Sequence, residues 1–256
     1  MQKASHVNTL PLVLLTGCIN PEGMIFTKLQ NPERRRLQYI DAINFYLNNT
    51  ENVVVFVENS GVDLSDEFKG SLHKDRLEVI TFFGNSFDRR LGKGYGEMLI
   101  LKHAFENSTF IKKSVSIFKI TGRYKLLNFK SILRSYQEHH CNIMVDLPRQ
   151  LKYSDSRVFI ADKIFFTKFL FPTAGMIDDS AGYYFEHALS RAVLLSIIEE
   201  KYKYLPFKYY PRLKGESGTD GLNYDYSFSY WVPQNIKQII QFKLFSREWD
   251  VKYIIK

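Results

Sequence analysis

A chain of 256 residues, 45% hydrophobic and 15% aromatic, can bury a full core and is too apolar to stay disordered. Its formal charge of +8 and pI near 9.2 point to an anionic partner: nucleic acid, an acidic membrane face or a phosphorylated substrate. Two cysteines, Cys18 and Cys141, exclude a disulfide scaffold and a cysteine-rich zinc cluster, and they fit a reducing cytoplasm.

In chain order, LPLVLLTGCINP is a short apolar run closed by Gly and Pro, which predicts a buried strand. NPERRRLQYIDAINFYLNN predicts a helix with Pro32 first after Asn31 and an apolar side that includes Leu37, Ile40 and Phe45. NVVVFVENSG and LEVITFFGN are further strands, each apolar and then abruptly polar. A helix comes next, from about Tyr95 to Glu106, carrying Met98, Leu101, Ala104 and Phe105 at helical spacing after the glycine-rich LGKGYGE. SVSIFKITGRY is the fourth strand, and CNIMVDLP and RVFIADKIFFTKFLF read as two more. A helix from about Gly182 to Glu200, a tyrosine-rich stretch to Trp231 and a last helix from about Pro233 complete the chain.

Strands that are nearly all apolar, alternate with helices and end in polar residues predict an α/β fold. Its sheet should be mostly parallel, with helices on both faces, in a single domain. A ligand should sit at the carboxyl ends of the strands. The first half, to about residue 130, reads as a nucleotide-binding half. The remainder, about 131–256, reads as the half that shapes an acceptor site and ends in a helix. No repeat or linker divides them, no leader segment opens the sequence, and no apolar run approaches the roughly 20 residues that cross a bilayer. The sequons at Asn48 and Asn107 therefore read as chance matches.

Four polar clusters fall at predicted strand ends or helix starts. Glu58 and Asn59 either meet a ribose or base or cap the turn after them. Lys93, Gly94 and Gly96 lack P-loop spacing; they offer a phosphate close backbone approach and a cation, or they serve a tight turn. In FKITGRY, Lys119, Thr121, Gly122 and Arg123 put two cations and a glycine at the sheet mouth. A cation there is costly to desolvate without an anion, and Arg can hold phosphate oxygens in a fork, so the pair reads as neutralising a diphosphate; the alternative is a solvated lysine and an arginine paired with a nearby acid. The fourth cluster is Glu186-His187 at a helix start. Asp155 and Arg157 either contact an acceptor or pair with each other, and Asp178 and Asp179 precede a helix, where acids are favoured whatever the function. LKGESGTDG reads as a loop able to close over a ligand. The six histidines show no paired metal-ligand spacing, and GxSxG is absent, which disfavours zinc or serine hydrolysis.

The order of VLLTGCINP, VVVFVENSG, KGYGEMLILKHA, IFKITGRY and GYYFEHALSR resembles GT-A-fold (Rossmann-like) glycosyltransferases, in particular those of bacterial capsule and O-antigen clusters. The resemblance covers roughly residues 10 to 200. It implies donor-nucleotide contacts at Glu58 and Asn59, a helix beneath the donor after Gly96, and Glu186 as catalytic base. The family's Asp-x-Asp metal motif is replaced here by Lys119 to Arg123. No metal ligand is therefore expected; Mn²⁺ or Mg²⁺ is compatible with the reading but no cofactor is required.

The expected activity is transfer of a sugar from a nucleotide-sugar donor, UDP-linked by preference, to a saccharide or lipid-linked acceptor in surface polysaccharide synthesis. The alternative is a non-catalytic basic protein that binds RNA or an anionic membrane. Neither an RNP1-like aromatic strand nor a continuous basic stripe is present, so no nucleic-acid partner is expected. The last segment interleaves Ile236, Ile239, Ile240, Phe242, Leu244, Phe245, Trp249, Val251 and Ile254 with Lys237, Lys243, Arg247, Lys252 and Lys256. That composition suits the interface of an anionic bilayer or a terminal helix docked on the core, and the first reading puts the protein at the inner face of the plasma membrane.

Overall fold

The computed structural model describes residues 10–200, 202–225 and 227–246. Strands β1 (Leu12–Gly17), β2 (Val54–Glu58), β3 (Leu77–Thr81) and β4 (Ser116–Thr121) are joined by helices α1 (Pro32–Asn49), α2 (Gly92–Asn107) and the short α3 (Thr109–Lys113). Strand β5 (Lys125–Leu126), helix α4 (Phe129–His139), and strands β6 (Ile143–Met144) and β7 (Val158–Asp162) come next. The chain continues through α5 (Lys163–Phe165), α6 (Phe185–Glu200), β8 (Tyr204–Leu205), β9 (Leu213–Lys214) and α7 (Phe228–Phe245).

Seven strands form one sheet in the order β3-β2-β1-β4-β7-β6-β8. The first four run parallel, β7 runs against both β4 and β6, and β8 returns parallel to β6. The expected mostly parallel sheet is therefore present. Strands β1 and β2 are buried along their whole length, which is why their sequences show no polar alternation. Val13, Leu15, Val54, Phe56, Phe118 and Ile120 face a core built with α1, α4 and α7, and Leu14, Val55, Val57 and Ile117 face one built with α2 and α6. Helices thus cover both faces. Strands β5 and β9 form a separate antiparallel ribbon.

Several expectations are corrected. Asn31 caps α1 through its side chain as its position implies, but Leu37 is exposed and the buried face runs through Tyr39, Ala42, Ile43 and Tyr46. KIFFTKFLF is not a strand: β7 ends at Asp162, whose carboxylate caps Phe165 N, and the chain coils on as helical turns to Met176. Phe165, Phe166, Phe169 and Leu170 then fall on one side, spaced as a helix requires. Helix α7 begins at Phe228 and carries Pro233 inside it. Gln238 and Phe242 dock inward, Phe242 against the His139 ring, while Ile236, Ile240 and Leu244 are exposed. Arg247, Trp249, Val251, Lys252, Ile254 and Lys256 lie outside the described residues. No helix among the described residues is long and apolar enough to cross a membrane.

Candidate functional site

The carboxyl ends of β1 and β4 lie side by side, Thr16 opposite Thr121, and Gly122 N donates to Thr16 O at 2.9 Å. A Cβ on Gly122 would stand 2.6 Å from that carbonyl, so glycine here keeps the two strand ends closed. Because β7 is antiparallel, its entry residues Ser156 and Arg157 reach the same edge, and Thr121 N donates to Arg157 O. The start of α2, the start of α6 and the segment after β9 complete the surroundings.

Lys119 takes a different part from the one its sequence position suggests. It is 1% exposed, and its ammonium meets Glu97 Oε1 of α2 at 2.7 Å, Ser156 O at 2.7 Å and Thr121 Oγ1 at 3.4 Å. Thr16 Oγ1 donates to the same Glu97 oxygen at 2.8 Å. All three Lys119 donors are used, so this cation clamps β4, α2 and the β7 entry rather than awaiting a phosphate.

Arg123 is less fully engaged. It is 6% exposed, with Nη1 donating to Gln38 Oε1 and Glu216 O at 3.0 and 2.9 Å, while Nε has no partner among the described residues. Arg35, also 6% exposed and not singled out from the sequence, donates to Cys18 O, Leu29 O and the Tyr39 hydroxyl. Neither arginine joins an ion pair among the described residues. The acceptors that hold the two guanidiniums are neutral carbonyl, amide and hydroxyl oxygens. A cavity of about 310 Å³ opens beside Arg123; its wall also carries Arg34, Lys125 and Lys214, paired with Glu216, Asp41 and Asp225 respectively.

The glycine-rich entry of α2 is occupied by a side chain of the protein itself. Asp179, 2% exposed, accepts from Gly94 N at 3.3 Å, and a Cβ on Gly92 or Gly94 would fall within 3 Å of its carboxylate. An internal carboxylate thus sits at the helix N-terminus, where the sequence suggested a phosphate. Gly96 lies against Phe87 and Asn59. The second Asp179 oxygen, Oδ1, has no hydrogen-bond partner among the described residues, and burial lifts the carboxyl to about 6 against the Gly94 amide and the Lys93 charge, with Glu186 adding to the rise. Lys93 contacts the Thr219 hydroxyl and lies within electrostatic reach of Glu186, Asp179, Asp220 and Arg123. Glu186 is half-buried in the first turn of α6, its Oε1 accepting from Ser156 Oγ at 2.7 Å.

Glu58 and Asn59 are both buried. The Glu58 carboxylate accepts from the amides of Ile19, Ser60 and Val62 and from the Ser60 hydroxyl, so it ties the turn after β1 to the turn after β2; burial still holds its pKa above the ordinary value. Asn59 Oδ1 has no hydrogen-bond partner among the described residues. Asp155 and Arg157 pair through two bonds of 2.8 and 2.6 Å, and the guanidinium stacks 5.1 Å from the Tyr224 ring centroid, so the pairing alternative holds. No group of three or more metal-ligating side chains is present among the described residues. The parts taken by Asp179 and Arg35 are what sequence reading missed. A glycine pattern facing an acid across 85 positions carries no local signal, and Arg35 reads as one of three consecutive helix arginines.

No protein-family model matches the sequence, and no curated protein resembles it closely enough to count as a match. Among solved structures, a protein provisionally described as a nucleotide-diphospho-sugar transferase from Desulfovibrio desulfuricans G20 overlaps 76% of this chain and 79% of its own, with 14% identity and a TM-score of 0.43. A cytidylyltransferase from Leptospira borgpetersenii serovar Hardjo-bovis overlaps 91% of this chain and 97% of its own at 13% identity and TM-score 0.35. HddC from Yersinia pseudotuberculosis overlaps 78% and 90% at 12% identity and TM-score 0.35. Likenesses this distant leave the functional reading to the site itself.

Proposed function

We propose that the protein is a GT-A-like glycosyltransferase that moves a sugar from a nucleotide-sugar donor to a saccharide or lipid-linked acceptor. The observation that carries the reading is the gathering of Arg123, Lys93, Glu186 and Asp179 at the carboxyl edge of the parallel strands. Departure of a nucleoside diphosphate leaves negative charge on the β-phosphate, which preorganised cations stabilise. Arg123 and Lys93 serve that step. An inverting transfer also requires a base for the acceptor hydroxyl, and Glu186, oriented by Ser156, supplies it. Asn59, with its buried unpartnered Oδ1, contacts the nucleoside. Glu58, Gly94, Gly96, Thr121 and Gly122 shape the backbone around the donor, and Lys119 acts through Glu97 and Ser156.

No metal is required by this scheme, since cations stand where the family resemblance would put Asp-x-Asp; Mn²⁺ or Mg²⁺ remains an accelerant to test. The exposed stripe Ile236, Ile240 and Leu244 beside Lys237 and Lys243 supports reversible attachment to an anionic bilayer, which suits a lipid-linked acceptor of a surface polysaccharide. Co-sedimentation with anionic liposomes that weakens as salt rises tests that part. The activity itself is tested by a donor screen with mass detection, led by UDP-sugars and preceded by melting with UDP against an unrelated oligonucleotide. A ligand at about 100 times its Kd stabilises the folded form by roughly 2.7 kcal/mol. Stabilisation by the oligonucleotide alone would favour the non-catalytic alternative.

A further inference from the structure

Arg35 Nη1 and Arg123 Nη2 face the same small volume, and Gly218 fills it. A Cβ built on Gly218 would stand 2.5 Å from Arg123 Nη2 and 3.7 Å from Arg35 Nη1. Gly218 belongs to the segment after β9, which crosses the strand ends and is bounded by Gly215 at φ +150° and Gly221 at φ +72°. The fastenings of this segment are polar. Gly218 O accepts from Lys28 N at 2.8 Å, Glu216 O accepts from Arg123, and the Thr219 hydroxyl meets Lys93. The Glu216 carboxylate is spent on Arg34 and Gln38, each at 2.8 Å, and so leaves both buried arginines to neutral acceptors.

We propose that Arg35 and Arg123 form a two-arginine site for a phosphoryl group, that Gly218 occupies it in the present conformation, and that the segment Gly215–Gly221 is a lid which a diphosphate displaces. The lid is held by Arg123 and Lys93, two cations that the anion would engage, and also by the Lys28 amide and the Glu216 bonds to Arg34 and Gln38, of which the Arg34 pair is solvent-exposed and weak; opening releases these and exchanges the carbonyl and hydroxyl on the two cations for charged oxygens. Hydrogen bonds to ionised acceptors are roughly twice as strong as neutral ones, which gives the exchange its direction. Arginine is suited to the task because its planar fork meets two phosphate oxygens at once. Glycine at position 218 lets the backbone enter between the guanidiniums, and the flanking positive-φ glycines supply the hinges. Assigning the phosphoryl group to a sugar nucleotide rests on the function proposed above; the anion site itself does not.

The test is calorimetric titration of the full chain with pyrophosphate, inorganic phosphate, UDP and uridine, together with hydrogen–deuterium exchange. Pyrophosphate and UDP are expected to bind, uridine much more weakly, and Arg123→Gln and Arg35→Gln each to weaken pyrophosphate at least about tenfold, as loss of a charge-assisted fork implies. Arg35 also holds two carbonyls, so if its variant fails to fold, Arg123→Gln and the exchange data decide the matter. Thr219→Val, which releases the lid from Lys93, is expected to tighten pyrophosphate binding. Exchange at the Lys28 amide and across residues 216–219 is expected to quicken with saturating pyrophosphate. Three results would overturn the proposal: no pyrophosphate binding at millimolar concentration, unchanged affinity in folded Arg123→Gln, or exchange in the lid that is unchanged or slowed. Arginine-dependent pyrophosphate binding without any sugar transfer would defeat the proposed function and leave this site standing. Sugar transfer with arginine-independent affinity would do the reverse.

Discussion

Lys119→Met separates a structural cation from a ligand-binding one. Methionine approximates the length of the lysine stem, so the change removes the ammonium, with its contact over the Phe159 ring, and fills much of the same volume. Three partners lose their donor: Glu97, Ser156 O and Thr121 Oγ1. Breaking a buried pair by removing one partner costs about 3–5 kcal/mol. Glu97 keeps 22% of its side chain exposed and a bond from Thr16, so the lower end applies, about 3 kcal/mol. In a chain of this size each kcal/mol moves Tm by roughly 2–4 °C, and a fall of about 6–12 °C is expected. Urea denaturation should show a lower midpoint at unchanged m. Glu97→Gln in the same background removes the stranded charge and should recover at least about 1 kcal/mol. A Lys119→Met protein as stable as the parent but unable to bind pyrophosphate would refute the reasoning and return Lys119 to the ligand.

Asp179 should give stability an acid-side slope. Its carboxyl titrates near 6 when folded against an ordinary 3.8, so between those values the folded state keeps a proton the unfolded chain has released, and stability falls as pH rises through the window, by up to roughly 3 kcal/mol; Asp179→Asn should flatten that slope in denaturation curves taken from pH 4 to 7. Glu186→Gln should keep the fold and the pyrophosphate affinity while lowering turnover by about 10² to 10⁴-fold, measured with whichever donor the screen identifies. Tyr46 donates to Tyr124 O at 2.8 Å and accepts from Leu126 N at 2.9 Å with its ring fully buried, so Tyr46→Phe should cost about 1–3 kcal/mol in urea denaturation.

How much of the molecule is legible in the sequence depends on how local each signal is. Asn31-Pro32 and the runs LVLLTG and VVFVE declare their elements within a few residues, and the structure matches them. KIFFTKFLF misleads because an apolar run can be a central strand or a buried helical turn; the pairs at 165/166 and 169/170 carry the helical spacing. Helix α4 has no counterpart among the expected elements, although Phe129, Ile132 and Leu133 line one face of it. At the site, strand order brings Lys119 opposite Glu97 and Gly218 between two arginines, and no short-range rule links residues so far apart along the chain. The positions are therefore legible as polar strand ends, while the partner that each has taken is not.

The reversal of β7 gives the ligand edge two kinds of supplier. From β1, β2 and β4 it receives the residues just beyond each strand, whose placement is bound to the parallel half of the sheet. From β7 it receives the residues leading into the strand, the connection running from Asp146 to Arg157, whose far end follows the two-residue strand β6. Lengthening or rewriting that connection ahead of Ser156 leaves β1, the two buried arginines and the ties of Ser156 and Arg157 to β4 in place. One side of this edge can therefore change while the other stays fixed by the parallel half of the sheet, which makes the antiparallel strand the seam along which proteins of this build would diversify.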